Sequence, residues 1–237
     1  MFDEHSLPIE NHIRHLAVLY LTSQVSNLIG GPLVHLAFAD NLDKNRPFRT
    51  LELDAHTAPM PDDAPSFPLL NLMFDCVSHD EAHLSWLQAM LDGLGSQLAH
   101  VQELRLWDMD PYMAIDWMRP LGRMCSLRDL LVSADLPDPI VTLLGSVAAE
   151  RCDERTGITE RELYLPALEQ LTFLLMYRDE ALFDLVAHSL GRRMDSGSRL
   201  PVLCMHMVED SLQPQDERLF SRVVSSLVSE RSWWHWR

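Results

Sequence analysis

Apolar residues along this chain recur in one phrase, Leu-x-x-Leu-x-Leu or a close variant, and a helix-spaced segment follows most copies. The copies are Leu33-Leu36-Phe38, Phe48-Leu51-Leu53, Leu69-Leu72-Phe74, Val101-Leu104-Leu106, Leu127-Leu130-Val132 and Leu168-Leu171-Phe173. Ile13-Leu16-Val18 adds one in front, and Leu203-His206-Val208 a degraded one near the end. The last two apolar positions of a phrase are two apart, so on a strand they share a face. Between phrases the spacing turns helical. From Glu81 to Leu98 the residues Leu84, Leu87, Met90 or Leu91, Leu94 and Leu98 fall three or four apart. Further helices are predicted from Pro111 to Pro120, from Pro137 or Pro139 through Val147, from Asp179 to Arg193, and from near Pro214 with Leu219, Val223, Leu227 and Val228 on one stripe.

Strand alternating with helix implies a parallel sheet. A doubly wound sheet would show Val/Ile-rich buried runs and a Gly-rich turn after its first strand. Here the strands are leucine phrases, and Gly30-Gly31 precedes a strand. The expectation is therefore an α/β leucine-rich-repeat-like solenoid, with parallel strands on the concave face and helices on the convex face. It spans residues 1–237 as one irregular domain. Repeat starts at 13, 33, 48, 69, 101, 127, 168 and 203 are unevenly spaced, so some units carry insertions. Two segments read as loop insertions, the proline-punctuated 58–67 and the charged 150–162; 231–237 reads as a C-terminal cap or tail.

Composition narrows the partners. The chain has 237 residues, 47% of them hydrophobic, which is globular, and a net charge of −16. That field repels phosphates and anionic head groups, and Lys44 is the single lysine, so neither nucleic acid nor a membrane is expected as partner. Cys76, Cys125, Cys152 and Cys204 are scattered without a CxxC, which suits reduced thiols. With no signal-peptide blocks and no apolar run near about 18 residues, a cytoplasmic or nuclear location follows.

Ser126-Leu127-Arg128-Asp129-Leu130, Leu165-Pro166-Ala167-Leu168-Glu169-Gln170-Leu171 and Leu200-Pro201-Val202-Leu203 resemble the "LP-x-L-x-x-L" strand entries of the irregular leucine-rich repeats in fungal F-box proteins. Asn41, three residues past Phe38, stands where such repeats place a turn-supporting Asn. The resemblance covers roughly residues 10–230 and implies the substrate-receptor portion of a ubiquitin ligase. The helical F-box module of about 45 residues, the size of a small domain, is not found ahead of the first repeat. The expectation is a fragment of a longer protein or a relative that lost the module, and adaptor binding does not carry over.

Candidate chemistry is sparse. His79 and His83 lie four apart on a predicted helix with Cys76 nearby, but Asp80 follows His79 where a metalloprotease needs Glu, and Glu81 points elsewhere. A polar helix start explains them better, so no metal is expected. Cys204 and His206 share a strand face without an orienting group, and no nucleophile elbow or phosphate loop exists. No catalytic residue and no cofactor is expected. Acidic residues follow the strands instead: Asp40, Asp43, Asp54 and Asp75 early, then Asp108, Asp110 and Asp116, then Asp135 and Asp138. Stacked repeats would align them along a rim that attracts a basic partner, although helix capping also explains them. Trp86, Trp107 and Trp117 lie in adjacent repeats, and Trp107 neighbours Leu106 on the opposite strand face. The expected function is non-catalytic protein recognition through Arg105, Trp107, Asp108, Asp110, Asp129, Asp135 and Thr172. The alternative is a hydrolase-type enzyme on a doubly wound sheet, with carboxylates at the strand C-terminal ends.

Overall fold

A computed structural model describes residues 16–17, 19–42, 48–57, 70–77, 82–107, 117–133, 137–152, 159–175, 177–208 and 211–231. The strands are β1 (His35–Leu42), β2 (Phe48–His56), β3 (Leu70–Val77), β4 (Glu103–Trp107), β5 (Asp129–Ser133), β6 (Val147–Cys152), β7 (Thr159–Leu163), β8 (Gln170–Leu175), β9 (Leu200–Met207) and β10 (Val224–Arg231). The helices are α1 (Val25–Ile29), α2 (Ala82–Leu94) with a 3-10 turn over Gly95–His100, α3 (Met118–Leu121), α4 (Pro137–Leu144), α5 (Glu180–Asp195) and α6 (Pro214–Phe220).

Eight strands form one sheet in the order β10-β9-β8-β5-β4-β1-β2-β3, and β6 and β7 form a separate pair. From β1 through β4, β5, β8 and β9 to β10, each strand lies parallel to the one before it. β2 is antiparallel to both β1 and β3, so seven of the eight strands point one way. The protein is thus α/β with a mostly parallel sheet.

The phrases stack in register. Leu36, Leu104, Leu130, Leu171, Leu203 and Leu227 form one ladder across the sheet. Phe38, Leu106, Val132, Phe173 and Met205 form a second ladder two residues on. All but Leu227 are buried, and Leu227 packs against the core from its edge. Each phrase opens three residues before the first ladder, at Leu33, Val101, Leu127, Leu168, Leu200 and Val224, and these openers are buried as well. An offset of three would put them on the wrong face of a continuous strand. The chain therefore turns before each strand. At those turns the carbonyl of Val34 accepts from Gln102 and Glu103 N–H, Gln102 from Arg128 and Asp129, and Arg128 from Glu169 and Gln170. Pro201 occupies the next donor position and has no N–H, so the Glu169 carbonyl accepts from Val202 alone.

Several expectations change. Residues 16–17 are helical where the phrase Ile13-Leu16-Val18 predicts a strand, and 19–23 are helical too, with Leu19, Thr22, Val25 and Ile29 repeating at three and four and turned toward the core; residues 13–15 and 18 lie outside the described residues. An i, i+3 leucine pair suits a helix as well as the phrase. The phrases at Phe48 and Leu69 are strands but not parallel repeats; only residues 43–47 separate β1 from β2, too few for the dozen or so that a parallel crossover needs. The last repeat phrase opens at Leu200, not Leu203, and a further one at Val224 replaces the predicted extension of the final helix. α6 ends at Phe220, and β-branched Val223 and Val224 lead into a strand. Val147 leaves the third predicted helix to open β6. The charged segment 150–162 is not a plain loop: β6 and β7 pair antiparallel, with Glu150 opposite Arg161 and Arg151 opposite Glu160. Segment 58–67 and residues 232–237 lie outside the described residues.

Three arginines tie the crossovers down. Arg178 makes a two-point contact with the buried Asp216 carboxylate, Nε to Oδ2 at 2.8 Å and Nη2 to Oδ1 at 2.9 Å, joining the β8–α5 turn to the start of α6. That guanidinium holds the Asp216 carboxyl below its ordinary 3.8. Arg193, 1% exposed on α5, donates to the Tyr164 and Leu165 carbonyls at 2.9 and 2.7 Å and fixes the turn where Leu165 takes φ 51°. Arg199 donates to the carbonyls of Ser221, Arg222 and Val224 where the chain enters β10. α4 packs on α5 and α5 on α6; Gly145, just past α4, comes so near Ser189 that a Cβ would lie 2.7 Å from its carbonyl oxygen.

Candidate functional site: the polar face of the sheet

Strand alternation that buries the leucine ladders sends the residues between them to the other face. One row there runs His35, Glu103, Asp129, Gln170 and Val202, and the next Ala37, Arg105, Leu131, Thr172 and Cys204. Polar groups concentrate in the middle of these rows. Glu103, Arg105, Asp129, Leu131, Gln170 and Thr172 line a shallow depression of about 320 Å³. Thr172 forms its floor at 6% exposure, and Gln170 Nε2 donates to its hydroxyl at 3.4 Å. Arg105, Asp129 and Gln170 are half-buried.

At the β1–β2 end, buried His35 meets the Glu103 carboxylate through Nδ1, 2.8 Å from Oε2. The buried His56 ring stands edge-on to His35, centroids 5.1 Å apart and planes at 86°. Burial pushes the His56 pKa below its ordinary 6.5; repulsion from His35 and Arg105 adds to this, and Glu103 opposes it.

Of the residues that the spacing marks out, the structure brings Arg105, Asp129 and Thr172 to one depression. Trp107 closes β4, and its side chain lies outside the described part, as do Asp108, Asp110, Asp116 and Asp135. Trp117 is buried, and its indole N–H finds no partner among the described residues. His79 is outside the description, as is the His83 side chain; among the described residues no group of three His, Cys, Asp or Glu is placed for a metal ion. Cys204 is buried and His206 half-buried on their shared face of β9. Asp179 acts as a cap, its carboxylate accepting from Ala181 and Leu182 N–H.

The phrase alignment held a signal that the sequence reading missed. His35 precedes Leu36 as Glu103 precedes Leu104, so a shared register sets the two side by side although 68 residues separate them. Such a face offers a cation, carboxylates, an amide and a hydroxyl across neighbouring strands. That suits hydrogen-bonded recognition of another surface. Among the described residues no helix is long and apolar enough to cross a membrane. No family model, no curated protein and no solved structure matches this chain.

Proposed function

We propose that the chain is a non-catalytic protein-recognition scaffold, a leucine-rich-repeat-like solenoid whose polar sheet face is the concave contact surface and whose helices are convex. The observation that carries this reading is strand order. Six parallel strands follow one another in chain order and stack their phrases in two ladders, as repeats do when each contacts only its neighbours. The doubly wound enzyme would place its site where strand order reverses between parallel neighbours. Chain order along those six strands favours the scaffold.

The partner is a basic protein. A net charge of −16 steers cations toward the chain, and Asp129 and Glu103 present carboxylates around the depression. By resemblance, the role is that of the substrate-receptor portion of an F-box protein working in the cytoplasm or nucleus, with no cofactor or metal. The test is affinity capture from a cell extract followed by charge reversal at the depression. Asp129→Arg is expected to weaken the captured basic partner at least about tenfold, roughly 1.4 kcal/mol, with Tm unchanged. Arg105→Glu is expected to alter the selection of partners. Unchanged binding of every captured protein by both variants refutes the proposal.

A further inference from the structure

We propose that His35 and His56 form an acid-sensitive latch between β1 and β2: the paired rings hold the strands together while at most one carries a proton, and a second proton drives them apart. This stands apart from the recognition reading, because it concerns the β1–β2 pair itself and needs no partner.

The geometry begins with register. His35 and His56 are directly opposed in the antiparallel β1–β2 ladder, and the His56 carbonyl accepts from Val34 N–H at 2.9 Å, so the rings close the end of the strand pair. Both are buried, at 1% and 7% exposure, and their centroids lie 5.1 Å apart. Water therefore screens a charge on either ring poorly.

The groups facing the pair are few. From β4, Glu103 holds His35, and Arg105 lies near enough to repel a charge on His56. From β2 itself, Asp54 shares the His56 face, two residues back and half-buried. α1, which packs against β2 and β3, contributes Val25 to Ile29 without a charge, and β3 sets Asn71 opposite Asp54. The Glu103 carboxylate lies 2.8 Å from His35 Nδ1. A proton on His56 is opposed by burial, by the His35 ring and by the Arg105 guanidinium, and favoured by Glu103. Like charges on two buried rings 5.1 Å apart repel strongly.

The direction follows from linkage. The folded His56 pKa lies below 6.5, so the unfolded chain binds the proton more readily. The stability that neutral His56 contributes is fully present above 6.5 and is lost as pH falls through the folded value. Opening of β1–β2 should therefore increase in acid while the far end of the sheet stays closed.

The experiment is amide hydrogen exchange on the intact chain at pH 7.0 and pH 5.0, corrected for intrinsic exchange rates, with imidazole titration by NMR. The expected result is that the Leu36, Phe38, Leu53 and Ala55 amides lose at least about tenfold protection in acid relative to Leu171 and Leu203 on β8 and β9. His56→Gln, which keeps a polar side chain without the titration, should abolish that selective loss. Glu103→Gln should bring the loss on at higher pH, a change that mere weakening of the strand pair does not produce. Equal loss at β8–β9, or selective loss that persists in His56→Gln, overturns the latch. Should that variant fail to fold, the wild-type titration still decides: both rings titrating together near 6.5 without selective exchange also overturns it.

Discussion

Arg193→Met removes the guanidinium of a nearly inaccessible side chain while leaving an apolar stem of similar length. Arg193 donates to two carbonyls, Tyr164 at 2.9 Å and Leu165 at 2.7 Å, from a site that is 1% exposed. Each hydrogen bond from a charged donor contributes about 1.5–3 kcal/mol, so the pair is worth roughly 3–6 kcal/mol before offsets. Burying a guanidinium costs some of that back, the more so because its Nε finds no partner among the described residues. Methionine also keeps much of the stem's contact with α5 surroundings. The net loss is about 2–4 kcal/mol, a large share of the roughly 5–15 kcal/mol that holds an ordinary domain. The Leu165 turn, with its φ of 51°, is the part set loose. Urea unfolding followed by tryptophan fluorescence and far-UV circular dichroism measures the change, which should appear in the midpoint and not the slope. Arg192→Met, exposed on the same helix, is the control and should shift stability by less than about 0.5 kcal/mol. An Arg193→Met protein within about 0.5 kcal/mol of wild type would falsify the view that this arginine fastens the turn.

Other perturbations test separate joints of the fold. Gly145→Ala forces a Cβ within 2.7 Å of the Ser189 carbonyl oxygen and should destabilise by about 1–3 kcal/mol as α4 and α5 part, read as a lower Tm. Gly191→Ala meets nothing closer than Val223 Cγ1 at 3.8 Å and should instead stabilise α5 by about 0.5–1 kcal/mol; a loss there contradicts the packing described. Asp216→Asn breaks the contact to Arg178 and should cost about 1–3 kcal/mol at pH 7. Because the folded carboxyl lies below 3.8, that contribution is present above 3.8 and is lost as pH falls through the lowered value, so wild type and variant should converge in strong acid. Urea titrations at pH 7 and pH 3 check the convergence, and a pH-independent gap contradicts it.

Leucine phrases declared the strands because alternation is a local property. Leu104 and Leu106, or Leu171 and Phe173, share a face whatever lies beside them, and both pairs are buried. Helix starts were equally local: Pro137 and Asp179 stand at the openings of α4 and α5 as their residue types require. The residues between the leucines, Arg105, Asp129 and Thr172, could likewise be assigned to the opposite face from sequence alone.

Pairing was a matter for the tertiary structure. The phrases at Phe48 and Leu69 look like the others, yet they form an antiparallel excursion from the run of parallel strands, and connection length as well as phrase content decides direction. Leu200 rather than Leu203 opens its phrase because the neighbouring β8 fixes the register, and an apolar string can be divided in more than one way. Residues 16–17 and the Val224 strand show the same ambiguity from opposite sides, since an apolar i, i+3 pair suits either conformation until a neighbour supplies partners for its backbone. The meeting of His35, His56 and Glu103, and the reach of Arg193 to the Leu165 turn, depend on which strands and helices became neighbours. Contacts across such distances follow from the whole sheet, because no stretch of sequence contains both partners.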